Sequence, residues 1–279
     1  MARMRTATQQ LSATVLAGII SMSAAHAARA DSVEIFAAGS LRATVGELAQ
    51  EAHSTFNIDV QASFGGSGLM RERIEKGAKP DLFLSADLGS PRKLEAAGRT
   101  VVPVIAFARN RMCIVSRPEA KVTAANLIDR LLAPEIRVKT STPIVDPAGD
   151  YAWAIFDRIE AMRPGAGATL KAKAQALMKV SATPATPNQS AMAALFAAHQ
   201  IDLAITYCSG VPALSKEVPR LANLVIPPAL DPHPVDGVAV LSARPEVMRL
   251  VLLLLSEKGQ AIIERAGLVP IASVPRMQP

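Results

Sequence analysis

The sequence predicts an α/β protein of two lobes, each a mostly parallel sheet flanked by helices, connected by two crossover strands. Strand-like and helix-like segments alternate from residue 33 onwards, which is typical of a parallel sheet with helices on both faces. The alternation is interrupted by two extended stretches, 102–116 and 225–241, and the first is too long for one ordinary strand. A chain that builds one lobe, crosses to a second and then returns would contain both stretches.

The first lobe is predicted from three strand-and-helix pairs. Apolar residues spaced as on one helical face indicate a helix over 41–56, and Gly98 ends the third helix. The strands are predicted at 33–37, 60–64 and 81–85, and the helices at 41–56, 69–77 and 88–98. After the return crossing, the segment that ends at Gly267 is also predicted to be helical.

The second lobe is predicted from the same alternation after residue 116. Its strands are predicted at 137–141 and 203–207, and its helices near 123–132 and from about 150 and 188. We therefore assign 31–106 and 233–279 to the first lobe and 107–232 to the second. Ligands of open α/β sheets bind at the carboxyl ends of strands, so the cleft between the lobes is the expected site.

Residues 1–30 are predicted to be a secretory signal peptide. Arg3 and Arg5 precede a mostly small and apolar segment, and the sequences AHA and ARA fit small-residue cleavage sites after Ala27 and Ala30. The apolar segment is too short and too interrupted for a membrane span. The mature protein is therefore expected to be soluble and exported, which in this case means periplasmic.

Composition argues against several classes of function. The formal charge is +6 for the whole chain and falls to +3 without the first 30 residues. Basic residues do not cluster and aromatic residues are few, so no nucleic-acid partner is expected. The histidines are scattered and there is no C-x-x-C sequence, so no metal site is expected either.

Cys113 and Cys208 are the only cysteines. In an oxidising compartment they either form a disulfide or remain two buried thiols. We predict the disulfide, because both cysteines fall on predicted strands of the second lobe.

Four strand-to-helix junctions carry small or polar residues. The first two contain Ser40 and Ser67, and the third, DPAGDYAW, places Asp150 as its expected helix cap. The fourth, TPNQSAMAALF, places Asn188 in the same role. Each could be a plain N-cap, but four such junctions facing one cleft favour a small anion held by hydroxyl groups and backbone amides.

An enzyme is a weaker interpretation. The segment GGSGL carries Leu69 where a nucleophile elbow needs glycine, and no histidine has a suggestive spacing to a serine. An exported α/β hydrolase remains the alternative from a different class, to be recognised by ester turnover and a reactive serine.

The mature chain resembles the periplasmic molybdate-binding proteins of ABC importers from about residue 33 to 270. The resemblance rests on the segments VEIFAAGSL, ASFGGSGLMRERIEKGAKPDLFLSAD, DPAGDYA, LAITY and SEKGQAIIERAGL. It implies the two-lobed type II periplasmic binding protein fold, no cofactor, and molybdate or tungstate bound without a countercharge. It also implies a membrane permease as partner and a monomeric state. The ligand donors that it implies are Ser40, Ser67, Ala148, Gln189 (or Ser190 after a one-residue shift) and Tyr207.

Two departures from the family pattern concern selectivity. Gly66 stands where the family usually has a hydroxyl residue, and Cys208 follows the tyrosine where aspartate is common. Sulfate or another tetrahedral oxyanion is therefore an alternative ligand, since these anions differ mainly in size. A sensor subunit that reports the anion to a membrane partner is a further alternative.

Overall fold

The computed structural model describes residues 31–184, 186 and 189–272. The predicted signal peptide lies outside the described residues. The strands are β1 (Asp31–Ala38), β2 (Ile58–Gly65), β3 (Leu82–Ser85), β4 (Ile105–Arg109), β5 (Met112–Ser116), β6 (Val138–Lys139), β7 (Leu203–Tyr207), β8 (Ala222–Val225), β9 (Val235–Val240) and β10 (Val269–Pro270). The helices are α1 (Arg42–Phe56), α2 (Ser67–Glu75), α3 (Gly89–Ala96), α4 (Leu127–Leu132), α5 (Pro147–Met162), α6 (Ala166–Leu177), α7 (Ala191–Ala197), α8 (Val211–Glu217), α9 (Pro245–Leu255) and α10 (Glu257–Arg265).

The first sheet has the strand order β10-β4-β9-β3-β1-β2. β1 lies parallel to β2 and β3, as the alternation of strands and helices predicts. β9 lies antiparallel to β3, with Ser85 opposite Gly237, and antiparallel to β4 on its other side. This register brings the end of β3 beside the start of β9.

The second sheet has the order β6-β7-β5-β8. β7 lies parallel to β6 but antiparallel to β5, which places Met112 opposite Tyr207. Both sheets are therefore mixed, which corrects the predicted mostly parallel pairing. The parallel prediction holds where a helix returns the chain between neighbouring strands; β9 and β5 instead follow the two crossings and enter their sheets in the opposite direction.

Both crossings are present. The stretch 102–116 divides into β4 of the first sheet and β5 of the second. The chain returns between β8 of the second sheet and β9 of the first. Strands of the first sheet thus extend to Arg109 and resume at Val235, while the lobe limits 31–106, 107–232 and 233–279 stay predictions.

The helices bury the faces that apolar spacing predicts, with one exception. In α1 the buried side chains include Val45, Leu48 and Ala52, close to the predicted stripe. In α5 the apolar residues Tyr151, Ile155, Ile159 and Met162 have the spacing of one helical stripe; Ile155 and Ile159 are buried, but Met162 at the last turn is 61% exposed. The stripe ends there because α5 itself ends.

A disulfide joins Cys113 of β5 to Cys208, which confirms the predicted pair. Cys208 begins a 3-10 turn (residues 208–210) directly after β7, rather than lying on the strand as expected. Since β5 and β7 are already hydrogen-bonded neighbours, the disulfide fixes the end of β7 against β5. It therefore restrains the residue before Cys208, which is Tyr207.

No helix within the described residues is long and apolar enough to cross a membrane.

Candidate functional site

The first junction does not use its serine as a helix cap. Ser40 lies half-buried in a 3-10 turn (residues 39–41) after β1, and α1 starts at Arg42 with Leu41 at its N-cap. The N-cap makes no side-chain hydrogen bond to the helix. The plain-cap interpretation of Ser40 is therefore wrong, and its hydroxyl is left for another use.

The second junction gives the same result through a different arrangement. Ser67 is the first residue of α2, Gly66 is the N-cap, and no side chain caps the helix. Ser67 is fully buried, and its hydroxyl oxygen accepts a hydrogen bond from the backbone amide of Ala86 at 3.1 Å. Ala86 directly follows β3, so this bond ties two neighbouring junctions of the first sheet together.

Tyr207 reaches the same residue from the second sheet. Its side chain is buried at the end of β7, and its hydroxyl donates to the carbonyl oxygen of Ala86 at 3.2 Å. Tyr151 packs against the Tyr207 ring edge to face, with 6.2 Å between ring centroids. Burial raises the pKa of Tyr207 well above its usual value, so the phenol stays protonated and remains a donor.

Ala86 is therefore the point at which the two sheets meet through predicted ligand donors. Its amide donates to Ser67 and its carbonyl accepts from Tyr207. The sequence alone does not point to this residue, because an alanine after a strand carries no chemical signature. The only signal is its position at the carboxyl end of a buried strand.

The third junction is capped by Asp146 rather than by the expected Asp150. The Asp146 carboxylate accepts from the amide of Ala148 at 3.0 Å, so that predicted ligand donor already has a partner within its own turn. Asp150 instead accepts from the amide of Ile144. Burial raises the pKa of both carboxyl groups, and these hydrogen bonds oppose the shift.

Two glycines allow the second and third junctions to touch. A Cβ atom on Gly66 would lie 2.2 Å from the carbonyl oxygen of Val145, and one on Gly68 would lie 1.7 Å from that of Ile144. Only hydrogen fits at these positions, so the backbones of the two lobes approach each other directly. This close packing explains why position 66 is a glycine, where the family usually has a hydroxyl residue.

The fourth junction is capped by Ser190, whose hydroxyl accepts from the amide of Ala193 at 3.2 Å. The expected cap, Asn188, lies outside the described residues. The Gln189 amide donates to the carbonyl of Thr186, and the Ser190 amide donates to Glu217. In this structure both backbone amides have partners within the second lobe.

A pocket of about 330 Å³ connects the last three junctions, and it is lined by Gly66, Lys139, Ser141, Asp146, Ala191 and Met192 among others. Lys139 is held by three backbone carbonyls, and burial lowers its pKa. A larger cavity of about 480 Å³ lies between α4 and the return crossing and is not lined by the predicted donors.

A buried carboxyl group, Asp236, lies near these donors and was also missed by the sequence analysis. It is 0% exposed, and neither of its oxygens has a hydrogen-bond partner within the described chain. Burial, with the neighbouring charge of Asp87, raises the pKa of Asp236 to about 7. Its sequence signal is an aspartate at the start of an otherwise apolar strand.

The described residues contain no group of three or more His, Cys, Asp or Glu side chains arranged to hold a metal ion. The residues that meet at Ala86 are hydroxyls and backbone groups, which suit an anion or a neutral polar ligand.

The family model described as bacterial extracellular solute-binding protein matches residues 33–269. The chain belongs to this family. An uncharacterized protein of Pasteurella multocida is 34% identical over 242 residues, covering 85% of this chain and 98% of the relative. Family and fold are thus those of proteins that bind solutes rather than those of enzymes.

Solved structures show the same fold at low identity. The periplasmic molybdate-binding protein of Azotobacter vinelandii has a TM-score of 0.67 at 19% identity, covering 86% of this chain and 100% of that one. The sulfate-binding protein SubI of Mycobacterium tuberculosis has a TM-score of 0.70 at 17% identity, covering 86% and 87%. The chain therefore has the α/β, two-lobed type II periplasmic binding protein fold, with mixed sheets.

Proposed function

We propose that this solute-binding protein captures molybdate or tungstate between its lobes and delivers it to the membrane permease of an ABC importer. The observation that carries the proposal is the convergence on Ala86. Ser67 from the first lobe and Tyr207 from the second, both predicted as oxyanion donors, contact the backbone of one residue. A ligand at this point would be held by both lobes at once.

The chemistry of the donors supports an anion that is stripped of water. Hydroxyl groups and amides at helix starts present positive ends of dipoles, and several of them can replace a hydration shell without a lysine or arginine. Ser40 has a hydroxyl that no helix cap uses, and the Ser67 hydroxyl still has its own proton to donate. The further donors of this proposal are Ala148, Gln189 (or Ser190) and Tyr207.

Sulfate is the second candidate ligand, because the fold of the sulfate-binding protein matches at a TM-score as high as that of the molybdate-binding protein. The two anions share shape and charge and differ in size. An exported hydrolase and a sensor subunit make different predictions: the hydrolase turns over esters, and the sensor binds the anion but supports no uptake.

The deciding experiment is calorimetric titration of the purified mature protein with molybdate, tungstate, sulfate and phosphate. We expect molybdate and tungstate to bind most tightly, and the protein to be a monomer by light scattering with and without ligand. Tighter binding of sulfate would replace the proposed ligand, and binding of none of the four anions would refute the oxyanion proposal.

The proposed periplasmic location depends on the signal peptide. We expect N-terminal sequencing of the exported protein to begin at Ala28 or Asp31. Retention of Met1 in folded, exported protein would contradict it.

A further inference from the structure

Asp236 is a buried carboxyl group that the donor set does not explain. Both oxygens lack a hydrogen-bond partner within the part of the chain that the structure describes, and the residue is 0% exposed. Leaving a buried carboxylate unpaired is among the most costly arrangements in a protein interior. Such a carboxyl group is expected either to be protonated or to bind a ligand.

The sheet register places Asp236 at the meeting point of the two lobes. Ser85 pairs with Gly237 across the antiparallel β3–β9 ladder, so the next residues along, Ala86 and Asp236, are neighbours. Ala86 is the residue that contacts both Ser67 and Tyr207. Burial has the largest effect on the pKa of Tyr207, and an ionised Asp236 would raise it further, which indicates that the two side chains are close.

The charged surroundings decide which of two close carboxyl groups holds a proton. Asp87 accepts hydrogen bonds from the amide and the hydroxyl of Ser90 at the start of α3. Asp236 has no such donors and faces the charge of Asp87. Like charges at short range disfavour double ionisation, so the proton resides on Asp236.

Within the described part of the chain, no basic side chain lowers the pKa of Asp236. On β4, Ala108 lies opposite Asp236, while Arg109 lies opposite Val235 and is exposed, which puts its side chain on the other face of the sheet. On α1, Arg42 stacks on the ring of Phe64. On α3, which packs against β9, the basic residues Arg92 and Lys93 are exposed. The neighbouring phenols of Tyr151 and Tyr207 are protonated, because burial raises the pKa of both.

We propose that Asp236 is a further residue of the oxyanion site, where it stays protonated and donates a hydrogen bond to the bound anion. The inference rests on the proposed function and adds a property to it. A neutral acid supplies a donor, whereas an ionised carboxylate would repel a dianion. Binding above the pKa of Asp236 therefore takes up one proton from solvent, which the ligand-free protein lacks. The reverse arrangement, a carboxylate that accepts from a protonated anion, would favour phosphate and is a competing outcome.

The test is calorimetric titration with molybdate and with sulfate between pH 5.5 and 8.5, a range in which sulfate remains a dianion. For the wild-type protein we expect nearly constant affinity below pH 7 and a tenfold fall per pH unit above it. Asp236→Asn presents an amide donor of the same shape that does not titrate. It should bind within a few-fold of wild type at pH 6 and show no fall above pH 7.

Two further variants make the result specific. Asp236→Ala should bind at least tenfold more weakly at pH 6, because it has no donor. Asp129→Asn, which removes an exposed surface carboxylate, should keep the wild-type pH profile. A flat wild-type profile, or an Asp236→Asn profile that still falls above pH 7, would overturn the proposal, as would preferential binding of phosphate.

A readout without ligand separates the two proposals. A carboxyl group whose pKa is higher in the folded than in the unfolded chain stabilises the fold at low pH and loses that contribution as pH rises to the folded value. The folding equilibrium constant of the wild-type protein should therefore fall by up to tenfold per pH unit from pH 5.5 towards 7, relative to Asp236→Asn. If this difference appears and no anion binds, the proposed function fails together with the donor role. If anions bind and the difference is missing, only the inference about Asp236 fails.

Discussion

Ser40 and Ser67 offer a sharp test of the binding site, because they differ in burial and in hydrogen bonding. Ser67 is fully buried and accepts a hydrogen bond from the Ala86 amide, whereas Ser40 is half-buried in a turn and makes no side-chain hydrogen bond among the described residues. Neither caps a helix. Changing each to alanine therefore separates a cost in stability from a cost in binding.

The expected magnitudes follow from what each hydroxyl contacts. Ser67→Ala leaves the buried amide of Ala86 without an acceptor, which should lower the free energy of unfolding by about 1–3 kcal/mol. Ser40→Ala removes no such bond, so the free energy of unfolding should change by no more than about 0.5 kcal/mol. As ligand donors, both hydroxyls should make charge-assisted hydrogen bonds worth about 1.5–3 kcal/mol, or roughly ten- to hundredfold in affinity.

The assay is denaturant unfolding of the ligand-free variants together with calorimetric titration of molybdate at fixed pH. The expected pattern is weaker binding in both variants and lower stability in Ser67→Ala alone. Unchanged affinity in Ser40→Ala would remove that serine from the site, because no structural role competes with the binding role. Unchanged affinity in both would refute the assignment of the cleft.

Three further predictions concern a close contact between the lobes, the disulfide of the second lobe and the hydroxyl of Tyr207. Gly68→Ala should lower the free energy of unfolding, or weaken molybdate binding, by about 1–3 kcal/mol, because its Cβ would lie 1.7 Å from a facing carbonyl oxygen. The matched control Gly46→Ala, which has open space around it, should leave binding unchanged. Thiol titration of the denatured, unreduced protein should detect no thiol, and replacing Cys113 and Cys208 by serine should lower stability by about 3–5 kcal/mol; detection of two thiols would contradict the disulfide. Tyr207→Phe, which keeps the ring contact and loses the hydroxyl, should weaken binding by about tenfold with a stability loss of about 0.5–1.5 kcal/mol, and equal affinity in calorimetry would exclude the tyrosine as a ligand donor.

The sequence was sufficient to predict the strands and helices of the first lobe and the two crossings, because apolar periodicity and extended stretches are local signals, but it did not predict α6 or α8 of the second lobe. It did not predict that both sheets are mixed. The direction in which β9 enters the first sheet depends on how the return crossing folds, and no local pattern reports that.

The candidate site was predicted in part, and the errors have one cause. The caps expected at the third and fourth junctions were Asp150 and Asn188, but the caps of α5 and α7 are Asp146 and Ser190, each directly before its helix. The helices after Ser40 and Ser67 start without any side-chain cap. Capping depends on the residue at which helical backbone geometry begins, and a shift of one or two residues changes which side chain can reach the amides.

The contacts at Ala86 also imply that the two hydroxyls would bind a ligand in different ways. The Ser67 oxygen accepts from the Ala86 amide, so its own proton is available to an anion while that bond stays intact. Tyr207 has one hydroxyl proton and donates it to the Ala86 carbonyl, so donation to an anion requires it to leave that partner. The net gain from the tyrosine is therefore the difference between a bond to a charged acceptor and a bond to a neutral one. Hydrogen bonds to charged groups are stronger than those to neutral groups, so donation to the anion is still favoured. The gain in binding free energy is, however, smaller than the full energy of the new hydrogen bond. Ligand arrival would then exchange a direct hydrogen bond between the lobes for one through the anion, which makes the attachment of Tyr207 to the first lobe dependent on the ligand.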